Sequence, residues 1–263
     1  MSSRFNILAV SLGCLAGALF ASAPASAQAD AEPLARFEDP ICPGVVGLKL
    51  EAAEQMVDRI RETAADFGRR LAPIGSCEAN LIVAFVEDGR AFARRMQREN
   101  GWLYAELSAS DRETVLNDAG PARAILRVRA RSRDGMPIAR RENLVSPPQT
   151  EMWMAHSKIY TATRNDILYS LVLIDREAVG GMGLAQLADY ALYRSLTRTL
   201  PQTPETRADS ILSLFDGGAS PPTGLTEFDR AYLSELYKGA ANLPAPASLA
   251  RLEAATRRDI FIE

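Results

Sequence analysis

The chain has 263 residues, 47% hydrophobic and 24% charged, and its 30 basic against 33 acidic residues leave a formal net charge of −3. So even a balance gives no strong electrostatic preference for a partner, and the single histidine excludes any site built on two imidazoles.

Residues 1–27, MSSRFNILAVSLGCLAGALFASAPASA, read as a secretory signal peptide: one Arg, an apolar run from Ile7 to Phe20, then small residues ending at Ala25-Ser26-Ala27. The run of about 14 residues falls short of the roughly 20 that a membrane-spanning helix needs. Leu12-Gly13-Cys14 offers a second reading, a lipid-attachment cysteine, but the apolar run continues past it through Phe20. Cleavage after Ala27 removes one Arg and no acid, so residues 28–263 carry −4 in place of −3. They contain no further apolar segment long enough to span a membrane, and they suit one domain in the periplasm or outside the cell. Two cysteines remain, Cys42 and Cys77, and an even count in an oxidising compartment predicts one disulfide between them.

Residues 28–40 are polar and punctuated by Pro, a leader that orders on contact with the domain. From Leu48 to Leu71 the apolar positions Leu50, Ala53, Val57, Ile60, Ala64 and Phe67 recur three or four apart, which predicts a helix ending near Gly68. ANLIVAFVED, residues 79–88, is a continuous apolar run between turn residues and predicts a strand buried on both faces. GRAFARRMQREN should form a second helix after it. Residues 109–119 predict a short helix capped by Ser110, with Glu113 at the capping-box position.

ARAILRVRARSRDG then alternates, with Arg127, Arg129, Arg131 and Arg133 on one side and Leu126, Val128 and Ala130 on the other. That pattern predicts a half-buried strand with an arginine-lined outer face. Residues 134–150 form a long loop. TATRND reads as a turn between two β-rich runs, the second of which, Ile167 to Ile174, should be a central strand. Gly180, Gly181 and Gly183 break the chain before a helix, and two short helices, Arg207–Phe215 and Glu227–Lys238, follow. Together these elements predict an α+β domain: a mixed sheet packed by helices.

The helix GLAQLADYALYRSL, residues 183–196, aligns Leu184, Leu187, Ala188, Ala191, Leu192 and Leu196 on one face, as docking on a sheet requires. A helix after a sheet, then a loop and the late helix FDRAYLSELY, resembles the order in zincin-like metallopeptidases and their poorly characterised secreted relatives. The resemblance implies a zincin-like core. Against the family's His-Glu-x-x-His motif this chain offers Gln186-Leu187-Ala188-Asp189-Tyr190. Zincin chemistry needs two imidazoles one turn apart and a carboxylate to take a proton from metal-bound water. Gln186 and Tyr190 stand at the imidazole positions and Leu187 at the carboxylate, so the resemblance carries the fold and not the activity, and no metal or cofactor is expected.

Other candidates are weaker. His156 lies alone beside Met and Trp, Ser157 is only its sequence neighbour, and G-x-S-x-G is absent. The glycines before the quoted helix lack a phosphate-binding spacing. The arginine row, with Arg123, Arg140 and Arg141, suits an acidic partner or a solvated face, and the lack of interleaved aromatics argues against nucleic acid. Two readings of function follow. The first is an exported non-catalytic binding or scaffolding protein, a pseudoenzyme with a candidate cleft of Gln186, Asp189, Tyr190 and Tyr193 suited to a peptide or small polar ligand. The second is a hydrolase using carboxylates such as Asp175, Glu177 and Asp189.

Overall fold

A computed structural model describes residues 32–105, 107–138, 157, 159–198, 207–218 and 220–260. The expected signal peptide, most of the long loop, His156 and the pair Arg140-Arg141 lie outside the described residues.

The domain is α+β, with one mixed four-stranded sheet. Its strands are β1 (Pro43–Val46), β2 (Leu81–Val86), β3 (Ala122–Ser132) and β4 (Thr163–Asp175). The spatial order is β1-β2-β4-β3, with β1, β2 and β4 parallel and β3 antiparallel to β4. Seven α-helices are present among the described residues: α1 (Leu50–Asp66), α2 (Gly89–Glu99), α3 (Gly101–Ala105), α4 (Ala109–Asn117), α5 (Leu184–Leu196), α6 (Glu227–Tyr237) and α7 (Ala245–Ile260).

The helices cover both sheet faces, and this explains why β2 and the end of β4 read as unbroken apolar runs. Leu81, Val83, Phe85, Val172 and Ile174 join the larger core, with Met56 and Ile60 of α1 and Leu187, Ala191 and Leu192 of α5. Ala84, Leu171 and Leu173 face the other way into a smaller core, with Ala93 of α2, Leu103 and Tyr104 of α3 and Val115 of α4. Burial of this kind contributes roughly 25 cal/mol per Å² of apolar surface, so the two cores carry the fold.

Local signals explain most boundaries. Helix α1 stops at Gly68, whose φ of +65° permits a Schellman turn: Gly68 N–H donates to Ala65 O (2.8 Å) and Arg69 N–H to Ala64 O (3.0 Å). Cys42 and Cys77 are disulfide-bonded with Cα atoms 6.1 Å apart, tying the start of β1 to the approach to β2. The Asn80 side chain reinforces that joint, accepting from Cys42 N–H (2.8 Å) and donating to Pro40 O (3.0 Å).

Several expectations change. The buried face of α1 is Met56, Ile60, Thr63 and Ala64, while Leu50, at its first position, is exposed. Helix α4 is capped by Ser108, not Ser110, through a 3.1 Å bond from Asp111 N–H. TATRND is no turn, because Thr163 to Asp166 extend β4 and pair with Arg129 to Ser132. Two partners override its turn propensity. The leader runs along the other edge of β4, with Arg36 N–H donating to Asn165 O (3.0 Å) and Ile167 N–H to Arg36 O (2.7 Å). Asp166 is also fully buried between Arg164 (2.9 Å) and Arg131 (3.5 Å). Within the segment expected as the helix Arg207–Phe215, residues Ile211–Phe215 form a 3₁₀ turn, and strand β1 and helix α7 have no counterpart in the sequence reading.

Candidate functional site

Helix α5 follows β4 through the turn Arg176–Val179 and Gly181, whose φ is +82°. Leu187, Ala188, Ala191 and Leu192 pack into the larger core as its apolar spacing demands. The opposite face is buried as well. Gln186, Asp189, Tyr190 and Tyr193 are at most 9% exposed, because Ile211–Phe215, the loop at Pro222–Leu225 and α6 close over them. The four residues of the expected cleft are thus together on α5, under protein.

The polar atoms of Gln186 and Asp189 are committed. Gln186 accepts from Gly183 N–H (3.2 Å) and donates to the Pro222 carbonyl. Asp189 receives Arg59 Nε (2.9 Å) and Nη2 (2.8 Å), Thr63 Oγ1 (3.3 Å) and Leu225 N–H (3.1 Å). That hydrogen bonding raises the Arg59 guanidinium above its ordinary range. Tyr190 meets Phe215 edge-on with ring centres 4.9 Å apart. Burial, with Asp229 nearby, pushes the Tyr193 hydroxyl well above the usual tyrosine value. Asp229 is itself fully buried and accepts from Ile211 N–H (2.7 Å) and Thr226 N–H (3.0 Å), and desolvation raises its carboxyl despite those bonds.

The carboxylates of the hydrolase reading have separate partners. Asp175 accepts from Gly89 N–H (2.6 Å) at the start of α2, Glu177 is exposed on the turn after β4, and Asp189 is paired with Arg59. Among the described residues no three His, Cys, Asp or Glu side chains group as metal ligands. Ser157 Oγ accepts from Ile159 N–H (3.2 Å) and Tyr160 N–H (3.1 Å), the role of a turn cap.

The arginine row needs correction. Arg127, Arg129 and Arg131 share one side of β3, but they are half-buried, whereas Ala130 on the apolar side is exposed. The guanidinium of Arg127 lies 5.4 Å from the Trp102 ring centre, and Arg131 pairs with Asp39 (3.1 Å) and Asp166 (3.5 Å). On the apolar side past Leu126, Val128 is half-buried and Ala130 exposed, and among the described residues a gap separates α4 from the end of α5. Two adjoining hollows of about 120 and 360 Å³ occupy that gap, sharing Leu107, Asp111, Leu126 and Arg198 as walls. An ion pair between Arg198 and Asp111 spans it. Sequence reading missed this groove and the Arg59 strut. Both arise from pairs far apart in the chain, and only the alternation of β3 hinted at either.

No helix among the described residues is long and apolar enough to cross a membrane. The chain matches no family model, no curated protein and no solved structure.

Proposed function

We propose that this chain is an exported, non-catalytic binding or scaffolding protein built on a degenerate zincin-like core. One observation carries the reading: Gln186, Leu187 and Tyr190, at the positions where a zincin holds two imidazoles and its general base, are enclosed by the fold and used to pack or to brace it. The order on which the likeness rests supports the core, since central strand β4 leads through a glycine turn into α5, and α6 follows after a loop. The sequence of residues 1–27 and the disulfide support export. The groove along β3 is the surface that binding would use, and a peptide or small polar ligand suits its mixed apolar and charged walls. The hydrolase reading is less well supported, since Asp175 and Asp189 serve different braces.

Two measurements on the purified full-length protein test this. Elemental analysis after exposure to excess zinc should find no stoichiometric metal, and a fluorogenic peptide library should stay intact. One zinc per chain, lost on Gln186→Ala or Tyr190→Phe, would end the proposal.

A further inference from the structure

Among the described residues β3 is the last strand of the sheet. The chain's own return bridges its final residues, Arg131 to Pro137 with Ser132 N–H donating to Met136 O (2.9 Å), and before them the register fixes which main-chain groups face outward. Asp175 N–H donates to Pro121 O at one end of the β3–β4 pair, and Arg133 N–H donates to Ala162 O at the other. Odd-numbered residues of β3 therefore bond toward β4, and Ala124, Leu126 and Val128, ahead of the Arg131–Pro137 bridge, direct their N–H and C=O groups away from it. The bulge between Arg127 and Val128 takes its extra residue from β4, so this parity holds along the strand.

The two flanks of that edge differ. On one side Leu126 and Val128 line the hollows already described. On the other stand Arg127, Arg129 and Arg131, with the Trp102 ring 58% exposed beside Arg127. Exposed sheet edges are templates for an added strand, and Trp and Arg are the side chains that most often anchor interfaces.

We infer that β3 is a docking edge for an extended, acid-bearing segment of a partner protein, which adds as a fifth strand with apolar residues in the hollows and carboxylates along the arginine row. The inference rests on the reading of the chain as a binding protein and names its partner's chemistry. Main-chain pairing supplies affinity, and alternate side chains supply selectivity. A guanidinium carries five N–H donors, so an arginine already packed or paired within the fold can still serve a carboxylate. Charge also argues against a second copy of this chain as occupant, because antiparallel pairing of two β3 edges would set arginine rows against each other.

The test uses fluorescence anisotropy of the full-length protein with a labelled peptide of about ten residues alternating Leu and Glu. Two controls replace every Glu by Lys or methylate alternate backbone nitrogens. The acidic peptide should bind, and both controls should bind at least about tenfold more weakly, as should Arg129→Glu and Val128→Pro proteins whose melting is unchanged. The methylated peptide probes the unaltered protein and decides the matter even where a variant fails to fold. Equal binding of all three peptides, or displacement by a single-stranded oligonucleotide of matching charge, would overturn the inference. Mass spectrometry of the recovered acidic peptide separates the two proposals: cleavage refutes the non-catalytic reading, while discrimination between the three peptides still upholds docking at the edge.

Discussion

Arg59 on α1 and Asp189 on α5 form a two-point ion pair, Nε to Oδ1 at 2.9 Å and Nη2 to Oδ2 at 2.8 Å, that bolts two helices of the larger core together. Its two ends differ in exposure: the Arg59 side chain is 35% accessible and that of Asp189 only 1%. Removing the arginine would strand a buried carboxylate, whereas removing the carboxylate would leave Thr63 and Leu225 without their acceptor. Arg59→Ala should cost about 3 kcal/mol, the low end for a broken buried pair, since water partly replaces the lost partner. Urea titration measures it, and a loss under about 1 kcal/mol would show that the pair braces nothing.

Leu187→Ala and Gln186→Ala separate packing from bracing on the same helix. The leucine truncation should cost about 2–5 kcal/mol as a core cavity. Gln186 is 9% exposed with two hydrogen bonds, so its truncation should cost about 1–2 kcal/mol, where an open cleft would have made it nearly free. Thermal melts combined with denaturant curves give both values, and equal small effects would show that α5 is not docked as described.

The disulfide closes a span of 35 residues. Cys42→Ser with Cys77→Ser should lower stability by roughly 3–4 kcal/mol in the loop-closure account. The same shift should follow reduction of the unaltered protein, and a double variant as stable as the parent would remove the staple from the stability argument.

Two buried tyrosines set an alkaline limit. Burial raises the hydroxyls of Tyr104 and Tyr232 to about 12. Their folded values lie above the unfolded value of about 10, so the stability they contribute is complete below pH ~10 and is lost as pH rises through ~12. Unfolding followed by circular dichroism should therefore coincide with a late step in tyrosinate absorbance. Tyrosinate forming well before any loss of structure would contradict the burial.

Gly47 and Gly181 both have positive φ, +89° and +82°, but only one has neighbours in the way. A Cβ on Gly47 would lie 2.2 Å from Phe85 O, while one on Gly181 would meet nothing within 4 Å. Gly181→Ala should cost about 1 kcal/mol for its backbone conformation alone. Gly47→Ala should cost roughly 3 kcal/mol or more, because the end of β1 must move off β2. Comparable melting temperatures for the two would refute this.

What the sequence disclosed depended on how local the cause was. The run Leu81–Val86 and the ridge of α5 were readable because each residue's burial follows from its own element's period. TATRND misled because its strand conformation is imposed from both sides, by β3 and by the leader at Arg36. The enclosed state of Gln186, Asp189 and Tyr190 depends on Phe215, Pro222 and Leu225, and no periodicity within α5 announces a lid contributed from beyond it. Arg127 and Arg129 alternate with Leu126 and Val128 along β3, but alternation says nothing of which side the helices leave open.

The leader also sets the order in which the domain can be completed. Arg36 donates to the carbonyls of Tyr237 (3.2 Å) and Gly239 (3.3 Å), Phe37 N–H reaches the Tyr237 hydroxyl (3.0 Å), and Pro33 bridges to Pro244. Contacts that span some 200 residues must wait for the late part of the chain, and closing so large a loop makes folding slow. Residues 237–239 hold Arg36, whose main chain covers the edge of β4 at Asn165–Ile167, and Phe37, which lies in the larger core. A chain that ends short of Tyr237 therefore lacks the groups that pin Arg36 and Phe37, and incomplete burial of that kind is the condition that favours aggregation.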